Sequence, residues 1–389
     1  MSIRECAMNS AAFAQLKHAY DNRDEAAENA KKAGKIVVGE LGADVPDEIL
    51  LAADIFPVHV YANPEKPLRE TDKYLEYAFD PVVRAQFEKI VDGTYARKIN
   101  YLAVSNSTDV IIRIYLYLRE LHRQEPEKDL PEVAFIDWLF TRNRMHQVRN
   151  ELTADLFKQT VEKWSGKTLT DGDIVSAAKI CNADRDALRK ICSLRRGAEV
   201  RLSGTEALVI IGSAFFMDRQ KHTELVNALY EEAKSWPVIS GPKIYFTGSD
   251  QEDLSLYEMI ESTGAVVTGE DHNWGDRYYD RDFNMDYTPM RAVVDRYMLR
   301  EFSSKKAFVS QRVGALNRET KEAGAEAVIF YTNIYEEAAS WDYPSQKKSL
   351  ESRGIRTACF PKMQWPAEKN EGLREKLAAF TDSLKGGGN

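Results

Sequence analysis

The sequence predicts an α/β protein: two doubly wound parallel-sheet lobes of flavodoxin or Rossmann type, joined by a helical segment. Three observations carry this. Short apolar runs alternate with amphipathic stretches to about residue 140, the pattern turns helical without strands to about residue 235, and the alternation then resumes. A chain of 389 residues is too long for one ordinary domain. The boundaries read as an N-terminal α/β lobe with a leading helix (1–140), a helical segment (141–235) and a C-terminal α/β lobe (236–389).

Ala alternating with charged residues up to about residue 33 predicts a helix. "KIVVGE" (35–40) is the first short buried strand and "IFPVHVYA" (55–62) the second. Between them, "VPDEILLAAD" sets a Pro and two acids ahead of an apolar face, the signature of a helix start. "FDPVVRAQFEKIVDGTY" (79–95) spaces its apolar residues helically, and "INYLAVSN" (99–106) returns as a strand. "DVIIRIYLYLRELHRQ" is a helix and "EVAFIDW" (132–138) a fourth strand. The helical segment consists mainly of "NRMHQVRNELTADLFKQTVEKW", "LTDGDIVSAAKICNADRDALRKICSL" and "HTELVNALYEEAKSW", with a turn at 170–173 leading into a helix cap. "KIYFTGSD" (243–250) restarts the alternation as a strand, followed by "LSLYEMIESTG" as helix and "AVVTGED" as strand. "TPMRAVVDRYMLREF" is a helix, and "AEAVIFYT" (325–332) and "IRTACFP" (355–361) are the last strands, with "DYPSQKKSLESRG" the helix between them. The tail "SLKGGGN" is a frayed end or linker. A cleft is expected where the strand C-terminal ends of the two lobes face each other.

Several function classes are excluded or disfavoured. A net charge of −8 argues against non-specific nucleic-acid binding. No stretch approaches the roughly 18 uninterrupted apolar residues of a membrane span, and the first residues carry no apolar core of signal-peptide type, so a cytoplasmic location is expected. The basic run "RDALRKICSLRRGAEVR" (185–201) reads as a solvated helix face or a phosphate-binding patch. Cys6, Cys181, Cys192 and Cys359 form no C-x-x-C pair and read as buried or idle thiols. His18, His59, His122, His146, His222 and His272 show no metal-ligand spacing.

Four strand-end turns remain as candidate chemistry. "AVSNSTDV" (103–110) offers only small oxygens and amides: Ser105, Asn106, Ser107, Thr108 and Asp109. "FTGSD" (246–250) is neither a dinucleotide fingerprint nor a Walker motif, and reads as a tight turn capping a helix through Ser249 or Asp250. "GEDHNWGDRYYDRDFN" (269–284) concentrates His272, Trp274, Asp276, Arg277, Tyr278 and Tyr279 after a strand. That density suits ligand contact, and equally a hydrogen-bonded interface loop. In "FYTNIYEEAASWDYP" (330–344), Glu336 and Glu337 beside Tyr335 are either paired acids for proton transfer or the first turn of a helix.

Three of these segments carry a family resemblance. "LRRGAEVRLSGTEALVIIGSAFFMDRQKHTELVNAL" (194–229), "GAVVTGEDHNWGDRYYDRDF" and "AEAVIFYTNIYEEAASWDYPSQKKSLESRGI" resemble the central helical segment, a second-lobe loop and the final βαβ unit of one family. It comprises the subunits of 2-hydroxyacyl-CoA dehydratases and ATP-dependent benzoyl-CoA reductases, and the Asp-Tyr-Pro stands at the opening of a helix. The likeness spans about residues 33–380. It implies a heterodimer with a homologous Cys-bearing subunit, acyl-CoA thioester substrates, and electrons from a separate ATP-hydrolysing iron–sulfur activator. Cluster-bearing subunits of the family place one Cys in each of three loops; here those places hold Phe79, Ser107 or Thr108, and Glu336. None is a suitable ligand for a [4Fe-4S] cluster, so the resemblance implies that the cluster sits on the partner. This chain then shapes a substrate or CoA site, with Ser105, Asn106, Ser107, Asp109, His272, Trp274, Arg277, Tyr278 and Glu336 as substrate or interface candidates. "SGTEALVIIG" inclines the reading toward ring reduction over dehydration. The alternative is a non-catalytic scaffold or binding subunit of the same fold. Aromatic-rich pieces at 136–146 and 285–298 are candidate partner surfaces, with core packing as the other reading.

Overall fold

Among the described residues, eight short parallel strands form two separate sheets of four, each in the same spatial order: second strand, first, third, fourth. The computed structural model describes residues 2–63, 66–301, 303 and 306–385. The first sheet holds β1 (Val37–Leu41), β2 (Phe56–His59), β3 (Tyr101–Ser105) and β4 (Glu132–Ile136). The second holds β5 (Lys243–Gly248), β6 (Val266–Glu270), β7 (Ala327–Asn333) and β8 (Arg356–Met363). Every residue of β1, β6 and β7 is buried, as strands covered on both faces require. All eight strands fall on the runs that predict them.

Three helices precede β1: α1 (Ile3–Asn9), α2 (Ala11–Asp21) and α3 (Glu25–Lys32). The single leading helix expected to residue 33 is therefore broken. Ser10 ends α1 and its hydroxyl caps α2 by accepting from the Phe13 amide. The first lobe continues with α4 (Asp47–Ala52), α5 (Thr71–Tyr74), α6 (Pro81–Val91) and α7 (Asp109–Gln124). Long helices follow: α8 (Arg144–Ser165), α9 (Asp171–Ser193), α10 (Gly204–Ser213) and α11 (Arg219–Ala233). Thr170 and Asp173 close a reciprocal capping box at the start of α9, so the turn at 170–173 is a helix cap. The second lobe adds α12 (Ser255–Glu261), α13 (Pro289–Met298), α14 (Val309–Glu322), α15 (Ala338–Glu351) and α16 (Leu373–Lys385).

Three details depart from the sequence reading. The Asp-Tyr-Pro does not open its helix: α15 starts at Ala338 and Pro344 lies inside it, where it leaves the Ser340 carbonyl without its helical donor. Ser249 and Asp250 do not cap α12. The Ser249 hydroxyl accepts from the Asn333 amide, and Asp250 accepts from the Asn273 backbone and side-chain amides, so both tie neighbouring strand ends together. Ser383–Lys385 of the tail complete α16, and residues 386–389 lie outside the described residues.

Alternate strand residues feed different cores. Val37, Leu102 and Val104 join Ile244, Phe246 and Ile329 in a central core that spans both sheets. Val38, Ala103 and Ile136 face a second core, completed by Phe157 of α8, Ile174 of α9, and Val293, Val294 and Tyr297 of α13. A helix that follows β6 thus forms part of the first sheet's packing.

Candidate active site between the lobes

The C-terminal ends of strands from both sheets converge on one cavity of about 580 Å³. Glu40 reaches it from β1 and Gly42 just after, His59 from β2, Ser107–Ile111 after β3, Asp250 and Glu252 after β5, Asn273 and Trp274 after β6, Asn333 from the end of β7 and Glu336 after it. The chain folds tightly here for a local reason. Gly42 has φ +93°, and a Cβ on it would stand 2.5 Å from the Ser105 hydroxyl and 2.7 Å from that of Ser107. The wall carries Glu40, Asp80, Asp109, Asp250, Glu252, Glu336 and Glu337, and no Lys or Arg among the described residues.

One arrangement in this wall can move a proton. His59 stacks on Phe215 at 4.2 Å between ring centres and meets the Trp274 ring edge-on at 6.2 Å. Its Nδ1 lies 3.0 Å from Oε2 of buried Glu40, and its Nε2 has no partner among the described residues. Burial pushes the His59 pKa down to about 4, against the pull of Asp47, so the imidazole is neutral. Burial, and then the charge of Asp47, raise Glu40 well above the carboxylate range, and its neutral carboxyl hydrogen-bonds to Asp47. Burial acts to raise Asp47 as well, but the Arg219 guanidinium, 2.6 Å from its Oδ2, holds it ionised and below its ordinary value. The order Arg219, Asp47, Glu40, His59 therefore leaves the Nε2 lone pair on the ring that lines the cavity. A neutral imidazole fixed in one tautomer by a carboxyl is the geometry of a general base.

The residues singled out in the sequence divide between this wall and the layer behind it. Ser107, Thr108, Asp109, Trp274 and Glu336 line the cavity. The Ser105 hydroxyl lies 2.8 Å from that of Ser107 and accepts from the Asp44 amide, while Asn106 donates to Asp137 and the Trp138 carbonyl, so both brace the turn from behind. His272 and Arg277 lie deeper, around a polar chamber of about 20 Å³ shared with Ser107, Asp250 and Asn273, room for one water. There His272 Nε2 is 2.8 Å from the Tyr257 hydroxyl. Tyr278 packs edge-on against Phe215 at 4.8 Å and lines none of these spaces.

The basic run at 185–201 is neither a solvated face nor a phosphate patch. Arg185 pairs with Glu48 at 3.0 Å, Arg189 with Asp282 at 2.7 Å, and fully buried Arg195 with Glu270 and Asp276 at 2.6 Å each. The Arg185 pair ties α9 to α4, and the Arg189 and Arg195 pairs clamp the 269–284 loop against α9 and the turn that follows it.

The three loops expected to carry family cysteines do meet here: Ala78 and Asp80, Ser107 and Thr108, and Glu336 share the cavity wall, with Phe79 buried behind it. The donor set does not fit an iron–sulfur cluster. No thiol lines the cavity; Cys6 lies in α1, Cys181 and Cys192 in α9, and Cys359 in β8. Among the described residues, no group of three or more His, Cys, Asp or Glu is arranged to hold a metal ion. No described helix is long and apolar enough to cross a membrane.

His59 and Glu40 escaped the sequence reading. The available signal was a charged residue and an imidazole inside two otherwise apolar strands, "VVGEL" and "FPVH".

Comparison with known proteins bears on this site. The chain is 23% identical over 359 residues to the (R)-phenyllactyl-CoA dehydratase beta subunit of Clostridium sporogenes, covering 91% of this chain and 93% of that protein. It is 22% identical over 342 residues to the (R)-2-hydroxyglutaryl-CoA dehydratase subunit beta of Acidaminococcus fermentans, covering 84% and 86%. Against a benzoyl-CoA reductase subunit of Thauera aromatica it is 19% identical over 252 residues, covering 61% and 63%. The family model described as "2-hydroxyglutaryl-CoA dehydratase, D-component" matches residues 43–384, and the chain belongs to that family.

Proposed function

We propose that this chain is a subunit of an anaerobic enzyme complex acting on acyl-CoA thioesters, working beside a homologous subunit that carries the [4Fe-4S] cluster. A separate ATP-hydrolysing iron–sulfur activator supplies the electrons. The dehydratase branch is the better supported. The two dehydratase beta subunits are matched over most of the chain, and the reductase subunit over 61% of it. Dehydration of a 2-hydroxyacyl-CoA removes a hydroxyl group from C2 and a proton from C3. Reduction of an aromatic acyl-CoA consumes electrons and protons instead.

The observation that carries this reading is the cavity between the strand ends, walled by all three family ligand loops, which bring no thiol to it, and by carboxylates and the neutral imidazole of His59. This chain contributes proton handling. His59 Nε2 accepts a proton from an acyl group held in the cavity beside Trp274, and the Glu40–Asp47–Arg219 chain fixes its tautomer. The acidic wall repels phosphates, so the nucleotide end of a CoA thioester stays outside the cavity.

Coexpression with a Cys-bearing homologue and the activator tests the proposal. A stable one-to-one complex with dehydratase or thioester reductase activity, lowered at least tenfold by His59→Leu at unchanged complex yield, supports it. A chain that remains monomeric and leaves the homologue's activity unaltered refutes it and identifies a scaffold.

A further inference from the structure

Beyond the one-water chamber lies a second cavity, of about 410 Å³, with a wall of opposite character. Among the described residues, Arg142, Arg277, Arg300 and Lys306 line it against a single carboxylate, Glu301. Phe140, Met298 and Phe308 give it an apolar side. Arg277 and Lys306 belong to both the cavity and the chamber, so they divide a cation-rich space from the acidic cleft.

The cations are not equally compensated. Arg300 is paired with Asp44 at 3.0 Å, and Lys306 contacts the same carboxylate. Arg277 has no ion pair among the described residues. Only 3% of it is exposed, its Nε donates to the Glu301 carbonyl at 3.2 Å and its Nη1 to the Asn273 side-chain oxygen at 2.6 Å. No partner of its Nη2 is found among the described residues. Burial, and then the neighbouring Arg300 charge, push the Arg277 pKa down to about 10, against the pull of Asp280 and Asp250. On the rim, Arg142 donates to the carbonyls of Leu299 and Arg300 at 3.3 and 2.7 Å. A buried guanidinium supported by neutral groups is unfavourable unless an anion joins it. Guanidinium forks match phosphate oxygens, and an aromatic side chain exposed beside them offers a face for a base. Phe308 is 78% exposed at this lip.

We propose that the second cavity binds a nucleoside 5′-diphosphate group, its phosphates on Arg277 and Arg142 and its base against Phe308. The volume lies within the range of small-ligand pockets. Two sources share this chemistry, the headgroup of CoA and free ADP. The CoA source rests on the proposed function, whereas the anion site does not.

Isothermal titration of the purified full-length chain with ADP, CoA and inorganic pyrophosphate tests the site without needing a partner or turnover. Saturable ADP binding is expected, at least tenfold tighter than pyrophosphate. It should weaken at least fivefold in Arg142→Ala, whose side chain is on the surface, and at least tenfold in Arg277→Met, with melting temperatures recorded for both. CoA binding tenfold tighter than ADP assigns the site to the CoA headgroup; equal or weaker CoA binding assigns it to free nucleotide. Absence of ADP binding, pyrophosphate binding as tight as ADP, or ADP binding indifferent to Arg142→Ala overturns the proposal. A coexpressed complex that fails to form or to turn over leaves these results standing, so the two readings fail separately.

Discussion

Replacing Glu40 by Gln should stabilise this protein at neutral pH, although it removes a buried charged-type residue from the wall of the candidate active site. The folded chain holds Glu40 neutral because burial and the adjacent Asp47 charge oppose its ionisation. In the unfolded chain the carboxyl ionises above its ordinary value of 4.5. The stability due to the neutral form is therefore fully present below pH 4.5 and is lost as pH rises toward the folded-state value. Gln reproduces the neutral carboxyl: an oxygen for His59 Nδ1 and an amide N–H for Asp47, with no proton to lose. Above pH 4.5 the variant should therefore gain on the wild type as pH rises, at a slope of no more than about 1.4 kcal/mol per pH unit, with the two converging below pH 4.5. His59 titrates in the opposite sense. Below 6.5 the unfolded chain protonates it while the fold keeps it neutral down to about 4, so its contribution grows as pH rises through that window. This term is common to both proteins and cancels in their difference. Urea unfolding of the wild type and Glu40→Gln at pH 4.5, 5.5 and 7.0 measures the gain. A variant less stable than the wild type at pH 7, or a difference independent of pH, would mean that Glu40 is ionised and paired with a charged His59, and the proton assignment at the site would be wrong.

Three further outcomes are expected. Arg195→Met leaves Glu270 and Asp276 buried without their shared guanidinium, and should lower unfolding free energy by about 3–5 kcal/mol in a denaturant titration. Gly248→Ala should destabilise by several kcal/mol, on the order of 3 or more, in thermal melts, because φ is +135° and the new Cβ would stand 1.9 Å from the Tyr331 carbonyl oxygen. The chain purified anaerobically alone should lack stoichiometric iron and acid-labile sulfide; about four of each per polypeptide would show that ligands come from elsewhere than the three loops.

The strands were legible because parallel strands covered on both faces must be apolar almost throughout, and "KIVVGE", "AVVTGED" and "AEAVIFYT" can satisfy that only as buried strands. The cleft followed from the strand ends. Helices α14 and α16 went unread, since "VSQRVGALNRETKE" buries few of its residues and its mixed charges resemble a linker. The family resemblance sets the Asp-Tyr-Pro at a helix opening, yet α15 holds Pro344 in its interior. The ion pairs of Arg185, Arg189 and Arg195 were hidden because their carboxylates lie 75 to 137 residues away, and a charge run seen in one dimension looks solvated. For the same reason His59 and Glu40, 19 residues apart, become neighbours only once β1 and β2 align in register, with Glu40 opposite His59.

The crossing of α13 into the first sheet's packing bears on how the chain acquires its structure during synthesis. Val293, Val294 and Tyr297 complete the core over Val38 and Ala103, and the Tyr297 hydroxyl accepts from the Asp47 amide across 250 residues of sequence. A nascent chain that has just exposed its first four strands lacks this wall, and an apolar flank stays open until residues near 298 leave the ribosome. Contacts of such long range slow folding and extend the exposure of sticky surface. The first sheet with its own helices, cut at residue 140 or 235, should thus be an aggregation-prone fragment, and chaperone dependence should end only once α13 is made.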